Sequence, residues 1–364
     1  MSSRFASAIA FSADWREAVE EVLAQLEGPL APQANLGFLY IADQYAHAAR
    51  DILGRLRAQT GIDNWVGSTG VGVIGRGQAQ IDSPGLSVLI GQMPEDSYRV
   101  FSGRAPLSRD FAAYGAVVHA DPATPDMSEL VQDMATKIRA GTLAGGLASA
   151  RGTAWQFAGD EPLTGGMSGV AFDSRIRVLT AMSQGYAPLP GSWRVTAAHE
   201  HIIDRIDGRP ALDVYREAAG PLLGADLRRA SRSLLVGLAS SSEDRRHYAV
   251  RSVVGIDLQK GALAINDGIE AGQHLVFVRR DEHSAREDLR RMLQELREAC
   301  PGVPAAGLYI SCAGRGGAMF ERDDSEVEMI GDAFGNLPVA GFFAGGEIVG
   351  NRLYGFTGAL TLFF

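Results

Sequence analysis

Ser311-Cys312-Ala313-Gly314-Arg315-Gly316-Gly317 sets a hydroxyl, a thiol and a guanidinium side by side in a glycine-rich segment. Glycines let the backbone turn tightly and present successive N–H groups, which favours an anion. The guanidinium is a planar fork suited to a carboxylate or phosphate. A cation beside Cys312 would favour its thiolate. The same residues also allow a plainer arrangement, with Arg315 paired to a structural carboxylate and Cys312 packed as a small apolar group. Downstream, Gly341-Phe342-Phe343-Ala344-Gly345-Gly346-Glu347-Ile348 puts one carboxylate among small residues. Glu347 could receive a ligand ammonium or neutralise Arg315. Ser68 and Thr69, in Gly67-Ser68-Thr69-Gly70, could offer hydroxyls to a ligand or bond to backbone. Ser68, Thr69, Ser311, Cys312, Arg315, Gly316 and Glu347 are therefore the candidate ligand-binding residues. The chemistry they point to is capture of a small molecule. The alternative is an enzyme with Cys312 as nucleophile and Arg315 with the loop N–H groups as anion site. His119 and His274 would be its candidate bases.

Two other patterns carry less. Gly70-Val71-Gly72-Val73-Ile74-Gly75 has spaced glycines, but a dinucleotide fingerprint needs a strand before it and a helix after it. Here a helix precedes and Ser83-Pro84-Gly85 follows. His199-Glu200-His201 would put two imidazoles on one face of a strand, without an obvious third ligand. No metal and no cofactor are expected.

The elements that must position these residues repeat. Leu36–Ile90, Gly115–Phe172 and Gly307–Phe364 each read as apolar strand, helix, glycine-rich strand and a returning strand. Tyr45, Ala48, Ala49, Ile52, Leu53 and Leu56 recur at helical spacing. Met127–Ala140 and Ser325–Phe334 are the corresponding helices. Asp14 with Glu17, and Asp126 with Glu129, have capping-box spacing. Gly28-Pro29 ends the first helix of the chain. Trp65–Ile74 reads as one glycine-interrupted strand with Leu86–Ile90 as its partner. Arg175–Thr180 would extend the second copy's sheet. Ala249–Leu258, Ala262–Asn266 and His274–Arg279 read as a meander, and Asp207-Gly208 marks a turn and a domain boundary. The fold class expected is α+β: repeated β-α-β-β units in mixed, mainly antiparallel sheets, helices on the outer faces, with two sheets possible face to face.

With 364 residues, two domains are expected, 1–208 and 209–364. The net charge of −9, without a basic run, argues against nucleic acid and against an anionic membrane surface. Two cysteines, Cys300 and Cys312, do not make a secreted disulfide framework. No apolar run reaches the roughly 20 residues of a membrane span, and the N-terminus makes a poor secretory signal. A cytoplasmic location without membrane insertion is expected.

Val66–Gly75, Gly145-Gly146-Leu147-Ala148, Gly165–Phe172 and Ala187-Pro188-Leu189-Pro190-Gly191 resemble blocks of the FIST family, named for F-box and intracellular signal transduction proteins. Ile206–Tyr215 resembles the junction between its N and C domains. Val250-Arg251-Ser252-Val253, the Ser311–Gly317 loop and Gly341–Ile348 resemble its C-terminal blocks. The family often has a Cys beside the Ser-Thr pair, where this chain has Gly67. The resemblance implies a FIST N-like domain over 1–208 and a FIST C-like domain over 209–364. It also implies a small-molecule sensory function in signal transduction, with amino acids a proposed ligand class. A separate signalling output protein is the partner expected on this reading.

Overall fold

In chain order the first copy contains β1 (Phe5–Ala10), α1 (Trp15–Leu26), β2 (Leu36–Ala42), α2 (Ala49–Thr60), β3 (Asn64–Gly70), β4 (Gly72–Gly75), β5 (Gln78–Ile81) and β6 (Leu86–Gly91). The second contains β7 (Tyr98–Phe101), β8 (Gly115–Ala120), α3 (Met127–Thr136), β9 (Thr142–Leu147), β10 (Gln156–Ala158), β11 (Pro162–Leu163) and β12 (Met167–Phe172). The third opens with β13 (Val178–Gln184). Then come β14 (Tyr186–Pro188), β15 (Trp193–His199), β16 (Ile202–Ile206), β17 (Arg209–Pro210), α4 (Ala211–Ala225), α5 (Leu227–Ser233), β18 (Leu234–Ala239), β19 (Ala249–Arg251), β20 (Val253–Asp257), β21 (Ala262–Ile265) and β22 (His274–Arg280). The third copy resumes with α6 (Glu282–Ala299), β23 (Ala306–Cys312), α7 (Gly316–Phe320), α8 (Ser325–Phe334), β24 (Val339–Ala344), β25 (Glu347–Val349), β26 (Arg352–Tyr354) and β27 (Thr357–Phe363). This computed structural model describes residues 5–28, 33–139, 142–239 and 249–364. The expected helix ends at Pro29 and at Ala140 lie outside the described residues.

Local chemistry explains the helix limits. The Asp14 carboxylate accepts from the Arg16 N–H at 2.9 Å and starts α1. Glu17 accepts instead from the Ser12 hydroxyl at 2.9 Å, so the capping box is incomplete. Asp126 caps α3 without a side-chain bond, because its own backbone is left-handed. α2 ends at Gly61, whose φ of 70° only glycine adopts cheaply, and whose N–H closes on the Arg57 carbonyl.

Contacts divide the chain into two compact units, one of residues 1–184 with 287–364 and one of residues 185–286. The second unit is built on β14 to β22, and its core includes Val195, Ile203, Tyr215, Leu234 and Phe277. α4 breaks at Gly220, before Pro221. β21 pairs with β16 and β20 while β22 pairs with β14, β15 and β18, so the expected meander does not form.

In the first unit three six-stranded sheets share one order. They are β1-β6-β2-β3-β10-β11, β7-β12-β8-β9-β25-β26 and β13-β27-β23-β24-β4-β5. In each, two parallel strands flank a helix and the returning strand lies antiparallel to the first of them. Each sheet is then extended by a hairpin from another copy: β10-β11 joins the first, β25-β26 the second, β4-β5 the third. The exchange is cyclic, so no copy completes its own sheet. Trp65–Ile74 is accordingly two strands, split at Val71, and Leu86–Ile90 pairs with β1 and β2 rather than with it. β13 extends the third sheet, not the second.

A repeated glycine fixes how closely the parallel strands approach. A Cβ on Gly67, Gly145 or Gly341 would lie 1.8, 1.9 or 1.7 Å from the carbonyl oxygen of Leu39, Val118 or Tyr309 respectively. These are the matching first-strand residues in the three registers. No side chain fits there. Strand alternation sends the two faces to different cores. α1 and α2 cover Leu39, Ile41 and Trp65 of the first sheet, and α3 covers Val118 and Leu143 of the second. α6 and α8 cover Tyr309, Phe343 and Leu360 of the third. The opposite faces of all three sheets meet in one central core, with Phe38, Val117, Phe172, Leu308, Phe342 and Phe363. Full burial of each such side chain contributes about 1.5–3 kcal/mol. The expected α+β class with repeated units, mixed sheets and outer helices is what the molecule shows, with three sheets in the first unit where two were considered.

Candidate functional site

The central core is not uniformly apolar. One register row of each sheet points into it. In the first sheet the row is Ser87-Tyr40-Ser68-Gln156, and in the second Ser168-His119-Gly146-Glu347. In the third it is Ala359-Ile310-Phe342-Val73. Two rows are polar and one is apolar, and every residue in them is buried.

The rows are stitched together. The Tyr40 hydroxyl lies 3.2 Å from His119 Nε2, and the Tyr40 ring stacks on Phe342 at 5.0 Å. The Ser168 hydroxyl donates to Gln156 Oε1 at 2.8 Å, and Gln156 Nε2 donates to the Gly165 carbonyl at 3.2 Å. Burial pushes the Tyr40 pKa up and pulls His119 down to about 3, so both are neutral. His119 Nδ1 has no hydrogen-bond partner among the described residues.

The glycine-rich crossovers of the three copies meet beside these rows. The Ser149 N–H donates to the Thr69 carbonyl at 3.1 Å, and the Ser149 hydroxyl donates to the Phe343 carbonyl. The same hydroxyl accepts from the Val71 N–H at 2.9 Å. The Leu147 N–H donates to the Gly346 carbonyl at 2.8 Å, and the Gly345 N–H to the Leu147 carbonyl at 3.0 Å. Glu347 leads out of this junction. Its Oε2 accepts from the Thr357 hydroxyl at 2.5 Å and from the Thr357 N–H at 3.2 Å. Its Oε1 has no hydrogen-bond partner among the described residues. Burial raises the carboxyl pKa to about 8, against the lowering by the Thr357 bonds and the Arg315 charge.

Cys312 and Arg315 stand near that carboxylate but are engaged differently. The Arg315 guanidinium is fully buried, and protein groups fill its donors. Nε and Nη2 donate to Glu326 Oε1 at 2.8 and 2.6 Å, and Nη2 also reaches the Ser183 hydroxyl at 3.3 Å. Nη1 donates to the carbonyls of Ser183 and Phe356 at 3.3 and 3.2 Å. Burial opposes the guanidinium charge, and Glu326 more than offsets it, so Arg315 stays protonated. Glu326 Oε1 also accepts from the Tyr309 hydroxyl at 2.6 Å, and Oε2 from Ser311 at 2.7 Å. Of the two arrangements open to Arg315, the pairing with a structural carboxylate is the one formed, and the carboxylate is Glu326 of α8.

The loop N–H groups also find an internal anion. The Gly317 N–H donates to Asp323 Oδ1 at 2.6 Å, while Asp323 Oδ2 takes the Ile81 N–H at 2.8 Å. Gly316 sits at φ 41°, and a Cβ there would lie 2.5 Å from Ile81 Cδ1. The Cys312 thiol is pushed up to about 12 by burial first and by the Glu347 charge second. Backbone N–H groups of Gly314 and Phe356 and the Arg315 charge lower it less. At neutral pH it is a thiol, not the thiolate a nucleophile requires.

Ser68 and Thr69 bond to backbone. The Ser68 hydroxyl lies 3.1 Å from the Thr69 carbonyl, and Thr69 Oγ1 accepts from the Trp155 N–H at 3.0 Å. Of the sequence candidates, Cys312, Arg315 and Glu347 interact electrostatically with one another, and Ser311 joins Arg315 through Glu326. His274 lies on β22, in the second compact unit. His199 ends β15, Glu200 turns with φ 52°, and His199 Nδ1 is 2.8 Å from Asp204. The two histidines therefore do not share a strand face, and among the described residues no cluster of three metal-ligating side chains occurs.

The FIST N domain model matches residues 35–209, and the FIST C domain model matches residues 211–350. The chain belongs to the FIST family. FIST domains are associated with signal-transduction sensing. The chain is similar to the uncharacterized protein Rv0628c of Mycobacterium tuberculosis, 28% identical over 381 residues that cover 99% of each chain. It is similar also to the uncharacterized protein Mb0898c of Mycobacterium bovis, 28% identical over 371 residues and 96% of each. The two family models meet between residues 209 and 211, whereas the second compact unit runs from Gly185 to Arg286. The family boundary thus falls inside that unit. Among the described residues no helix is long and apolar enough to cross a membrane.

Glu326, Thr357, Gln156, Tyr40 and Asp323 were missed in sequence. Glu326 carried one usable signal: it lies in the first turn of a helix that follows the Arg315 loop. Tyr40 carried none, because its ring partners His119 and Phe342 come from other copies, and Gln156 carried none, because its strand joins the sheet of another copy.

Proposed function

We propose that this FIST protein is a sensory module whose small ligand is amino-acid-like or another small carboxylate bearing an N–H or ammonium group. The observation that supports this is Glu347 Oε1, a fully buried carboxyl oxygen without a donor among the described residues. An unsatisfied buried acceptor is costly, and a ligand ammonium brought to it relieves that cost while gaining a charge-assisted bond. Arg315 and Cys312 interact electrostatically with the same carboxyl group. On this reading Arg315 acts through its pair with Glu326, which holds the Ser311–Gly317 loop in place beside the ligand. Ser311, Gly316, Ser68 and Thr69 then shape the backbone around the ligand. The high pKa of Cys312 and the internal filling of the loop donors weigh against the alternative of a thiol nucleophile.

The experiment is a thermal-shift screen of the full chain with the standard amino acids, matched amines and matched carboxylates. Ligands carrying both groups should raise Tm, and Glu347→Gln should abolish the rise while remaining folded. A panel without any shift, or equal shifts in Glu347→Gln, would overturn the reading.

A further inference from the structure

A groove of about 720 Å³ opens beside β1, within the size range of small-ligand sites. None of the candidate residues above lines it. Val327, Ile330 and Leu337 give it an apolar wall, and Ser7 and Asn336 add polar groups. Among the described residues that line it, Arg76 is the only charged one and no carboxylate is present.

Arg76 occupies an unexpected place. Arg76-Gly77 is the two-residue turn between β4 and β5, with Gly75 opposite Gln78. Both turn residues have positive φ, 48° and 75°. Turns of that type favour Asn, Asp or Gly at the first position, because a Cβ is strained there and only the short polar side chains of Asn and Asp offset it by local hydrogen bonds. Strain of this kind persists where the side chain is needed. The guanidinium is aimed by one bond, from Nη1 to the Ser7 carbonyl at 3.1 Å. Its Nε and Nη2 have no acceptor among the described residues, and no described carboxylate pairs with it.

The adjoining sheet edge is closed to an added strand. Gln25 Oε1 accepts from the Ile9 N–H at 3.2 Å, and Gln25 Nε2 donates to the Ile9 carbonyl at 2.8 Å. With Ser7 O taken by Arg76, an extended peptide finds few backbone groups to pair with. A compact molecule remains.

We infer that this groove binds a small monocarboxylate with an apolar body. The carboxylate would lie on the Nε–Nη2 edge of Arg76, where a guanidinium offers two parallel donors. The apolar body would lie against Val327, Ile330 and Leu337. This site does not rest on the Glu347 reading, and either can fail alone.

The test uses the full chain with hexanoate, hexyl phosphate and inorganic phosphate as probes, followed by calorimetry and Tm. Hexanoate should bind saturably to the wild type, more tightly than hexyl phosphate, and inorganic phosphate should not compete. Arg76→Asn should weaken hexanoate at least about tenfold, the loss of one charge-assisted pair. Its Tm should be equal or higher, since Asn-Gly suits the turn. No saturable hexanoate binding, or equal binding to Arg76→Asn, would overturn the site. Tighter hexyl phosphate, or competition by inorganic phosphate, would overturn the carboxylate assignment. A lower Tm for Arg76→Asn would show that arginine serves the fold through Ser7 and would overturn the argument from the turn.

Discussion

Gln156 and Glu347 hold the same place in two different sheets. Each is the first residue of an exchanged hairpin, opposite Ser68 in one sheet and opposite Gly146 in the other. Gln156 has both ends of its amide bonded, while Glu347 keeps one oxygen unbonded among the described residues. In one copy the position closes the core, and in the other it leaves an acceptor open.

That difference gives Glu347 a pH signature. Its carboxyl pKa is raised from 4.5 to about 8 by burial. A group raised in the folded state binds more protons there than in the unfolded chain, so its contribution is full below 4.5 and is lost as pH rises through 8. His119, lowered from 6.5 to about 3 by burial, acts in the opposite sense and only below 6.5. Between pH 6.5 and 8, of these two, Glu347 alone contributes. Wild-type Tm should fall across that window, and Glu347→Gln should flatten the slope. An unchanged slope in the variant would mean that Glu347 is not the titrating group.

The buried Arg315–Glu326 pair should be costly to break. Removing one partner leaves the other charge buried, which typically costs about 3–5 kcal/mol. Arg315→Met and Glu326→Gln should each lower stability by that order in urea unfolding. Arg315→Met combined with Glu326→Leu should cost less than the sum of the single changes. Additive losses would show that the two charges act separately.

The glycine pattern separates two kinds of position. Gly341→Ala would drive a Cβ to 1.7 Å from the Tyr309 carbonyl, so the variant should fold poorly or lose several degrees of Tm. Gly54→Ala meets nothing within 4 Å in the middle of α2 and should gain roughly 0.5–1 kcal/mol from helix propensity. Denaturation of the two purified variants distinguishes the cases. Equal effects would deny that strand approach is what fixes Gly341.

Thiol labelling reports the state of Cys312. Cys312 is 8% exposed and its pKa is pushed up, while Cys300 is half-buried. In the native protein an electrophilic probe should modify Cys300 first, and Cys312 only on unfolding. Faster labelling of Cys312, with protection by a ligand, would favour the nucleophile after all.

Much of the frame was legible because its signals are local. Gly67, Gly145 and Gly341 mark the second strand of each copy, and the helical spacing from Tyr45 to Leu56 marks the intervening helix. The partner of Leu86–Ile90 was not legible. Gly70 and Val71 carry the chain out of one sheet and into another, and nothing near them in sequence names the destination. The same limit applied at the site. Arg315 and Glu347 stood out by type, but the carboxylate that binds Arg315 is Glu326, set by the docking of α8 on β23. Glu347 lies opposite Gly146, on a strand of another copy that nothing near Glu347 in sequence names.

The most direct test of the sensory reading is the proton balance on binding. At pH 7 a carboxyl with pKa about 8 is mostly protonated. A ligand ammonium favours the carboxylate, so binding should expel a proton. Calorimetry of the ligand found in the screen, repeated in buffers of different ionisation enthalpy, counts protons released. Release approaching one proton from the wild type, with none from any residual binding to Glu347→Gln, is the result expected. Binding without proton release from the wild type would contradict a ligand seated on Glu347.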